Sequence, residues 1–327
     1  MIVDDIKNYA EQFKYKPEIK NAEKLRASDG PGSYDSYIIG GMGGSGLVAG
    51  VLRALKPELN IVAHHEYGLP RFLNAKDKKP LFIAISHSGN TEETIDFYVA
   101  ATNIGADVAV ITTGGKLLEL AEEDKVPYVR LLCGDVQPRM TLGFMLRALL
   151  KLIGEDALYT ETSEFAKSFV PEKLHDKGSK LADELFGKVP VVYASRDNHL
   201  LAYNWKLKFN ESGKIPAFYN TFPELNHNEM QGMDVVDKTK SLSDKLCFVF
   251  MTDEADHKRI QKRMEITSKL YKDRGLNVEQ VDLDGESRLE RIFNTLTLGD
   301  WIAVTLAEKY GTEPEQVPMV EEFKKLL

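Results

Sequence analysis

Short apolar runs alternate with longer amphipathic stretches along most of the chain. The runs predict strands near residues 37–40, 60–64, 81–85, 107–112 and 126–131. The stretches between them predict helices near 45–55, 91–103, 116–123 and 138–153. Ahead of these, residues 1–28 read as helical and amphipathic, with a break near Pro17, and "SDGPGS" reads as a loop. "EDALYTETSEF" turns polar and marks a boundary, after which the alternation resumes. Strands are expected near 189–194, 215–219, 246–251 and 277–282, and helices near 171–186, 198–211, 255–273 and 288–310. Strands that are apolar throughout and separated by helices build parallel sheets covered on both faces. The expected fold is therefore α/β: two doubly wound parallel-sheet domains of three layers, α/β/α, over residues 1–153 and 154–327.

Composition narrows the partners. A chain of 327 residues can bury two cores. Its net charge of -8 argues against nucleic acid as the main partner. No apolar run reaches the roughly 20 residues of a membrane span. "MIVDDIKNYAEQF" has neither the basic start nor the apolar run of a signal peptide. Cys133 and Cys247 lie far apart in apolar, strand-like contexts, which suits a reducing compartment. A cytoplasmic protein is expected.

Two loops carry candidate chemistry. "YIIGGMGGSGLVAG" contains G-M-G-G-S-G at Gly41–Gly46, which fits the G-x-G-x-x-G of dinucleotide sites, and Glu66 stands where an acidic ribose ligand would. A second strand, "LFIAI", runs into "SHSGNTEET". Ligands of open parallel sheets bind outside the carboxyl ends of the strands. There Ser86, Ser88 and Thr91 offer hydroxyls, and a helix start offers backbone N–H groups, which together suit a phosphate monoester. The plain alternative is a Ser/Thr-rich helix cap with nothing bound. A dinucleotide needs one glycine turn and an acid, not a second hydroxyl cluster, so the pair of loops weakens the nicotinamide reading. Strand–"GGSG"–helix with strand–"SHSGNTEET"–helix resembles the sugar isomerase (SIS) domain, a phosphosugar-binding fold.

The second half contains "KFNESGKIPAFYNTFPELNHNEMQG". On its own, Glu211 could be a solvated carboxylate and His227 a capping or core histidine. Their setting, a polar loop dense in Asn and aromatic residues, suits a site. "GMGGSG", "SHSGNTEET", "PRMTLG" and "FNESGK…PELNHNE" together resemble the bifunctional phosphoglucose/phosphomannose isomerase family across both domains. That resemblance implies interconversion of glucose 6-phosphate and mannose 6-phosphate with fructose 6-phosphate through an enediolate, without metal or cofactor. It implies Glu211 as the base between C2 and C1. It implies His227 as the ring-opening residue, contributed to the neighbouring subunit of a homodimer. Arg139 would stand near the enediolate, or pair with Asp135 instead. Gly43, Gly44, Ser45, Ser86, Ser88 and Thr91 would hold the phosphate. Thr297, with Thr295 as rival, would match a threonine associated with mannose 6-phosphate, both expected ahead of the helix body; a helix cap is the plain alternative. The lysine expected seven residues on is Val304 here, and the nearest is Lys309.

The residue types suit that chemistry. Ring opening wants a group that gives and takes protons near neutral pH. A weakly acidic C–H needs a carboxylate held against it. Charge on the enediolate favours a fixed cation. His64 and His65 are adjacent on a strand end and should face opposite ways, so a shared metal is not expected. A non-catalytic SIS sensor of phosphosugars remains the rival from another class.

Overall fold

The computed structural model describes residues 2–25, 34–71 and 79–326, so "SDGPGS" and the last residues of the leading helical stretch lie outside it. The chain divides into two compact units, one of Asn8–Phe169 and one of Met1–Lys7 with Val170–Leu327. Contacts thus divide at 169/170, where the sequence suggested 153/154.

A short helix α1 (Ile2–Lys7) opens the chain. In the Asn8–Phe169 unit follow β1 (Ile19–Lys20), β2 (Ser36–Gly40), α2 (Gly43–Leu55), β3 (Ile61–His64), β4 (Pro80–Ser86) and α3 (Glu92–Asn103). Then come β5 (Asp107–Thr112), α4 (Gly115–Glu123), β6 (Tyr128–Arg130), α5 (Leu142–Ile153) and α6 (Asp156–Ser168). The sheet order is β1-β6-β5-β4-β2-β3, parallel except for β1 at the edge. β4, "PLFIAIS", is buried from its second residue to its last because helices cover both faces. On one face Ile38, Phe82, Ala84, Val108 and Val110 pack against Phe97 and Ala101 of α3 and Leu117 and Ala121 of α4.

The second unit continues with α7 (His175–Leu185), β7 (Val189–Ser195), α8 (His199–Glu211), β8 (Phe218–Phe222), α9 (Leu225–Asn228) and α10 (Lys240–Ser243). β9 (Leu246–Thr252), α11 (Lys258–Asp273), β10 (Asn277–Asp282), α12 (Arg288–Tyr310) and α13 (Pro318–Leu326) complete it. Its four strands are all parallel, in the order β10-β9-β7-β8.

Several local expectations change. The leading stretch is helical only to Lys7; Tyr9–Lys14 is a 3₁₀ turn and Ile19–Lys20 a strand. Tertiary packing sets this, with Tyr9 and Phe13 against Phe165 and Phe169. The polar "EDALYTETSEF", read as a boundary, forms most of α6, which buries Leu158, Thr162, Phe165 and Ala166 at helical spacing. Arg147 of α5, itself 2% exposed, pins this corner. Its guanidinium donates to the carbonyls of Tyr15 at 2.5 Å and Tyr159 at 3.1 Å, and to Thr162 Oγ1 at 2.7 Å. The strand expected at 215–219 begins at Phe218. Lys214 takes φ 56°, and Asn210 Nδ2 donates to the Ile215 carbonyl, so the intervening residues form a turn. Among the described residues no helix is long and apolar enough to cross a membrane.

Candidate functional site

In each sheet the strand order reverses once, between β2 and β4 and between β7 and β9. Crevices at such switch points are where doubly wound sheets hold ligands. The two crevices are furnished differently.

At β2/β4, α2 begins on the glycine run, at Gly43 with φ 52°. Its N-cap is Met42, whose side chain makes no cap hydrogen bond. Thr91 caps α3 in position only, since its side chain makes no cap bond either. No cap side chain therefore claims the first-turn N–H groups of either helix. Ser45 is 6% exposed, and its Oγ accepts from the His87 N–H at 3.1 Å, which ties one loop to the other. The Ser45 O–H remains to donate. Ser88 Oγ accepts from the Asn90 N–H at 3.2 Å and is exposed. Ser86 is different. It is 1% exposed, its Oγ accepts from the Gly89 N–H at 3.0 Å, and it bonds Thr91 Oγ1 at 2.8 Å. Ser86 thus braces the loop from inside and holds Thr91 in place. Gly89 has φ 71°, and a Cβ there would sit 1.7 Å from the Gly114 carbonyl oxygen. Gly44 lets α2 press on the 3₁₀ turn Pro138–Met140, since a Cβ there would lie 3.0 Å from Arg139 Cα. The half-buried Arg139 is brought to this same cradle.

At β7/β9 side chains of the strand ends and following loops bond one another. Asn198 Nδ2 donates to Asp253 Oδ2, Asp256 Oδ1 and Ser195 Oγ at 3.1–3.2 Å. Arg288 Nη1 donates to Asp253 Oδ2 at 2.9 Å. Burial pushes the Asp256 carboxyl up to about 6.

Glu211, His227, Thr297, Thr295 and Lys309 lie in the second unit. Glu211 is the last residue of α8 and half-buried, rather than fully solvated. Its carboxylate is one of the charges that raise the Tyr203 hydroxyl pKa, after burial and Tyr219. His227 lies on α9 and is exposed. Thr297 is not ahead of the helix body and not a cap. Ser287 caps α12 with a full capping box to Glu290, and Thr297 sits well inside the helix, 0% exposed. Its hydroxyl has no partner among the described residues, although a mid-helix threonine ordinarily bonds a preceding carbonyl. Thr295 is also inside the helix, and its carbonyl accepts from Trp205 Nε1 at 2.8 Å. Lys309 is taken up elsewhere, 2.5 Å from Asp183 and over the Phe186 ring.

His65 Nδ1 donates to the Gly41 carbonyl at 2.7 Å, while the His64 ring lies against Phe97. Among the described residues no three His, Cys, Asp or Glu side chains are grouped as metal ligands.

Residues 174–327 match the family described as bacterial phospho-glucose isomerase C-terminal SIS domain. The whole chain is similar to the "Bifunctional phosphoglucose/phosphomannose isomerase" of Aquifex aeolicus, with 35% identity over 300 residues, 90% of this chain and 91% of that protein. A protein of the same name from Caldicellulosiruptor bescii is 34% identical over 99% of this chain and 98% of its own. The chain belongs to the bifunctional phosphoglucose/phosphomannose isomerase family. Among solved structures, the tagatose-6-phosphate ketose/aldose isomerase of Escherichia coli shares the fold, with a TM-score of 0.68 and 15% identity over 96% of this chain and 94% of that one. The doubly wound SIS architecture expected from the sequence is thus the architecture found.

Two features of this family member were missed by sequence reasoning. Glu229, two residues past His227, accepts from the Tyr193 hydroxyl and from Asn220 Nδ2 at 2.5 Å, which anchors the turn that carries His227. Lys208 is buried between α8 and α12. Nothing in the local sequence marks either: Leu296 and Asp300 are far from Lys208 in the chain, and Tyr193 and Asn220 meet Glu229 only through the fold.

Proposed function

We propose that this isomerase interconverts glucose 6-phosphate and mannose 6-phosphate with fructose 6-phosphate through an enediolate, without a metal ion. The observation that carries the phosphate half is the cradle at the β2/β4 switch point. It has two helix starts without side-chain caps, with Ser45 and Ser88 each keeping a hydroxyl proton to donate. Gly43, Gly44 and Thr91 complete it, and Ser86 acts as its brace. The dianion supplies binding energy remote from the reacting carbons.

Glu211 is the base that moves the proton between C2 and C1. The end of a rigid helix is a suitable mount for a carboxylate that must be held against a C–H bond. Arg139 stabilises the developing enediolate charge. His227 opens the ring, and its exposure in a single chain supports a role at the neighbouring subunit of a homodimer. Mixed Glu211→Gln and His227→Ala chains should then recover activity after subunit exchange, as one site of each heterodimer holds both groups intact. No recovery would overturn the shared site.

The experiment that tests the function is a coupled assay with each of the three sugar phosphates, before and after prolonged EDTA treatment. Turnover of both aldose phosphates, unchanged by EDTA, is expected. Binding of fructose 6-phosphate without turnover would make the protein a phosphosugar sensor instead. Loss on chelation with recovery on zinc would refute the metal-free reaction.

A further inference from the structure

The ammonium of Lys208 on α8 donates to the Leu296 carbonyl at 2.6 Å and pairs with Asp300 Oδ2 of α12 at 2.7 Å. Both side chains are 6% exposed. Lys208 lies three residues before Glu211, and Asp300 three residues after Thr297. Residues three apart share a helix face, so each member of the pair stands one turn from a proposed site residue. A second tie lies beside it. Trp205 Nε1 donates to the Thr295 carbonyl, and a Cβ at Gly299 would stand 2.6 Å from the Trp205 ring. The two helices therefore approach as closely as a glycine permits. Among the described residues, Asn204 Oδ1 of α8 and Thr297 Oγ1 of α12 are buried without hydrogen-bond partners.

A buried ion pair is a weak source of stability, because an apolar pair of similar volume does as well or better. Apolar side chains, however, tolerate sliding, whereas an ammonium bonded to one carboxylate and one carbonyl fixes a single register. We propose that the Lys208–Asp300 pair is a positioning element for catalysis: it sets α8 against α12 and so fixes Glu211 relative to Thr297. This rests on the reading of Glu211 as the base.

The test separates position from stability with the double variant Lys208→Met/Asp300→Leu. Thermal stability at or above wild type is expected, with KM for fructose 6-phosphate within about twofold and kcat at least about tenfold lower, the pattern of a lost transition-state interaction. Wild-type kcat in the folded double variant would overturn the proposal. Asp300→Asn and Asp300→Ala provide an independent arm should the double variant not fold. Asparagine keeps an acceptor for Lys208, so kcat should stay within about threefold of wild type, while alanine should lower it about tenfold or more. Equal kcat in the two would also overturn it. Absence of turnover in the wild-type enzyme would instead refute the functional reading, so the two failures are distinguishable.

Discussion

Ser45→Ala should separate two roles of one hydroxyl. In the free protein Ser45 Oγ accepts from the His87 N–H at 3.1 Å, and His87 is half-buried. Truncation leaves that amide without its acceptor, at a cost of about 1–3 kcal/mol in unfolding free energy. In the proposed complex the Ser45 O–H also donates to the phosphate dianion. A hydrogen bond to a charged group contributes about 1.5–3 kcal/mol, which corresponds to roughly a 10- to 150-fold rise in KM. The reacting carbons lie away from this contact, so kcat should change by less than about threefold. Ser88→Ala is the control, because Ser88 is exposed and accepts only from the Asn90 N–H next to it. It should raise KM with little loss of stability. The assay is steady-state kinetics on fructose 6-phosphate with urea unfolding of the same preparations. A folded Ser45→Ala enzyme whose KM stays within about twofold would refute the phosphate assignment.

Two further outcomes follow from buried groups. Burial, with Asp253 and Asp197 adding to it, holds the Asp256 carboxyl at about 6 against a hydrogen bond from Ser195 and the charge of Arg288. Between about 4 and 6 the native state keeps a proton that the unfolded chain has lost, so stability falls as pH rises through that window and the penalty is complete above it. Asp256→Asn should therefore stabilise by about 1–3 kcal/mol at pH 8 and by clearly less at pH 5 in urea unfolding; equal gains at both would contradict this. Thr297→Val keeps the packing and removes a buried hydroxyl that lacks a partner, so stability should be unchanged or higher by about 1 kcal/mol. Conversion of mannose 6-phosphate should fall further than that of glucose 6-phosphate, acting through the side chains packed over Thr297; an unchanged ratio would remove Thr297 from substrate selection.

The regular parts of this fold are legible in the sequence for a simple reason. β2, β4, β5, β7 and β9 are buried on both faces, so their apolar runs are uninterrupted, and α12 carries its own capping box. What was misread depends on contacts distant in the chain. The stretch that forms α6 reads as a boundary because only one face is apolar, and the packing partners of that face, Phe13 among them, come from the start of the chain. Thr297 was expected ahead of the helix body, with a cap as the plain alternative, whereas α12 begins at Arg288 and places it well inside. The proposed phosphate cradle is legible as two loops, but the sequence does not distinguish Ser86 from Ser88, because the bonds of Ser86 to Gly89 and Thr91 belong to the fold of the loop. Lys208 and Asp300 are far apart in sequence and separately unremarkable, so nothing local announces their pairing.

The proposed reaction depends on proton transfer by a carboxylate at the end of α8. Glu211→Gln keeps the size and polarity of the side chain and removes only its basicity. Native-like thermal unfolding, fructose 6-phosphate binding by calorimetry within about threefold of wild type, and turnover lower by about 10²–10⁴-fold are expected. A folded Glu211→Gln enzyme that retains more than about half of wild-type turnover would contradict it, since general-base catalysis of that size cannot be lost so cheaply.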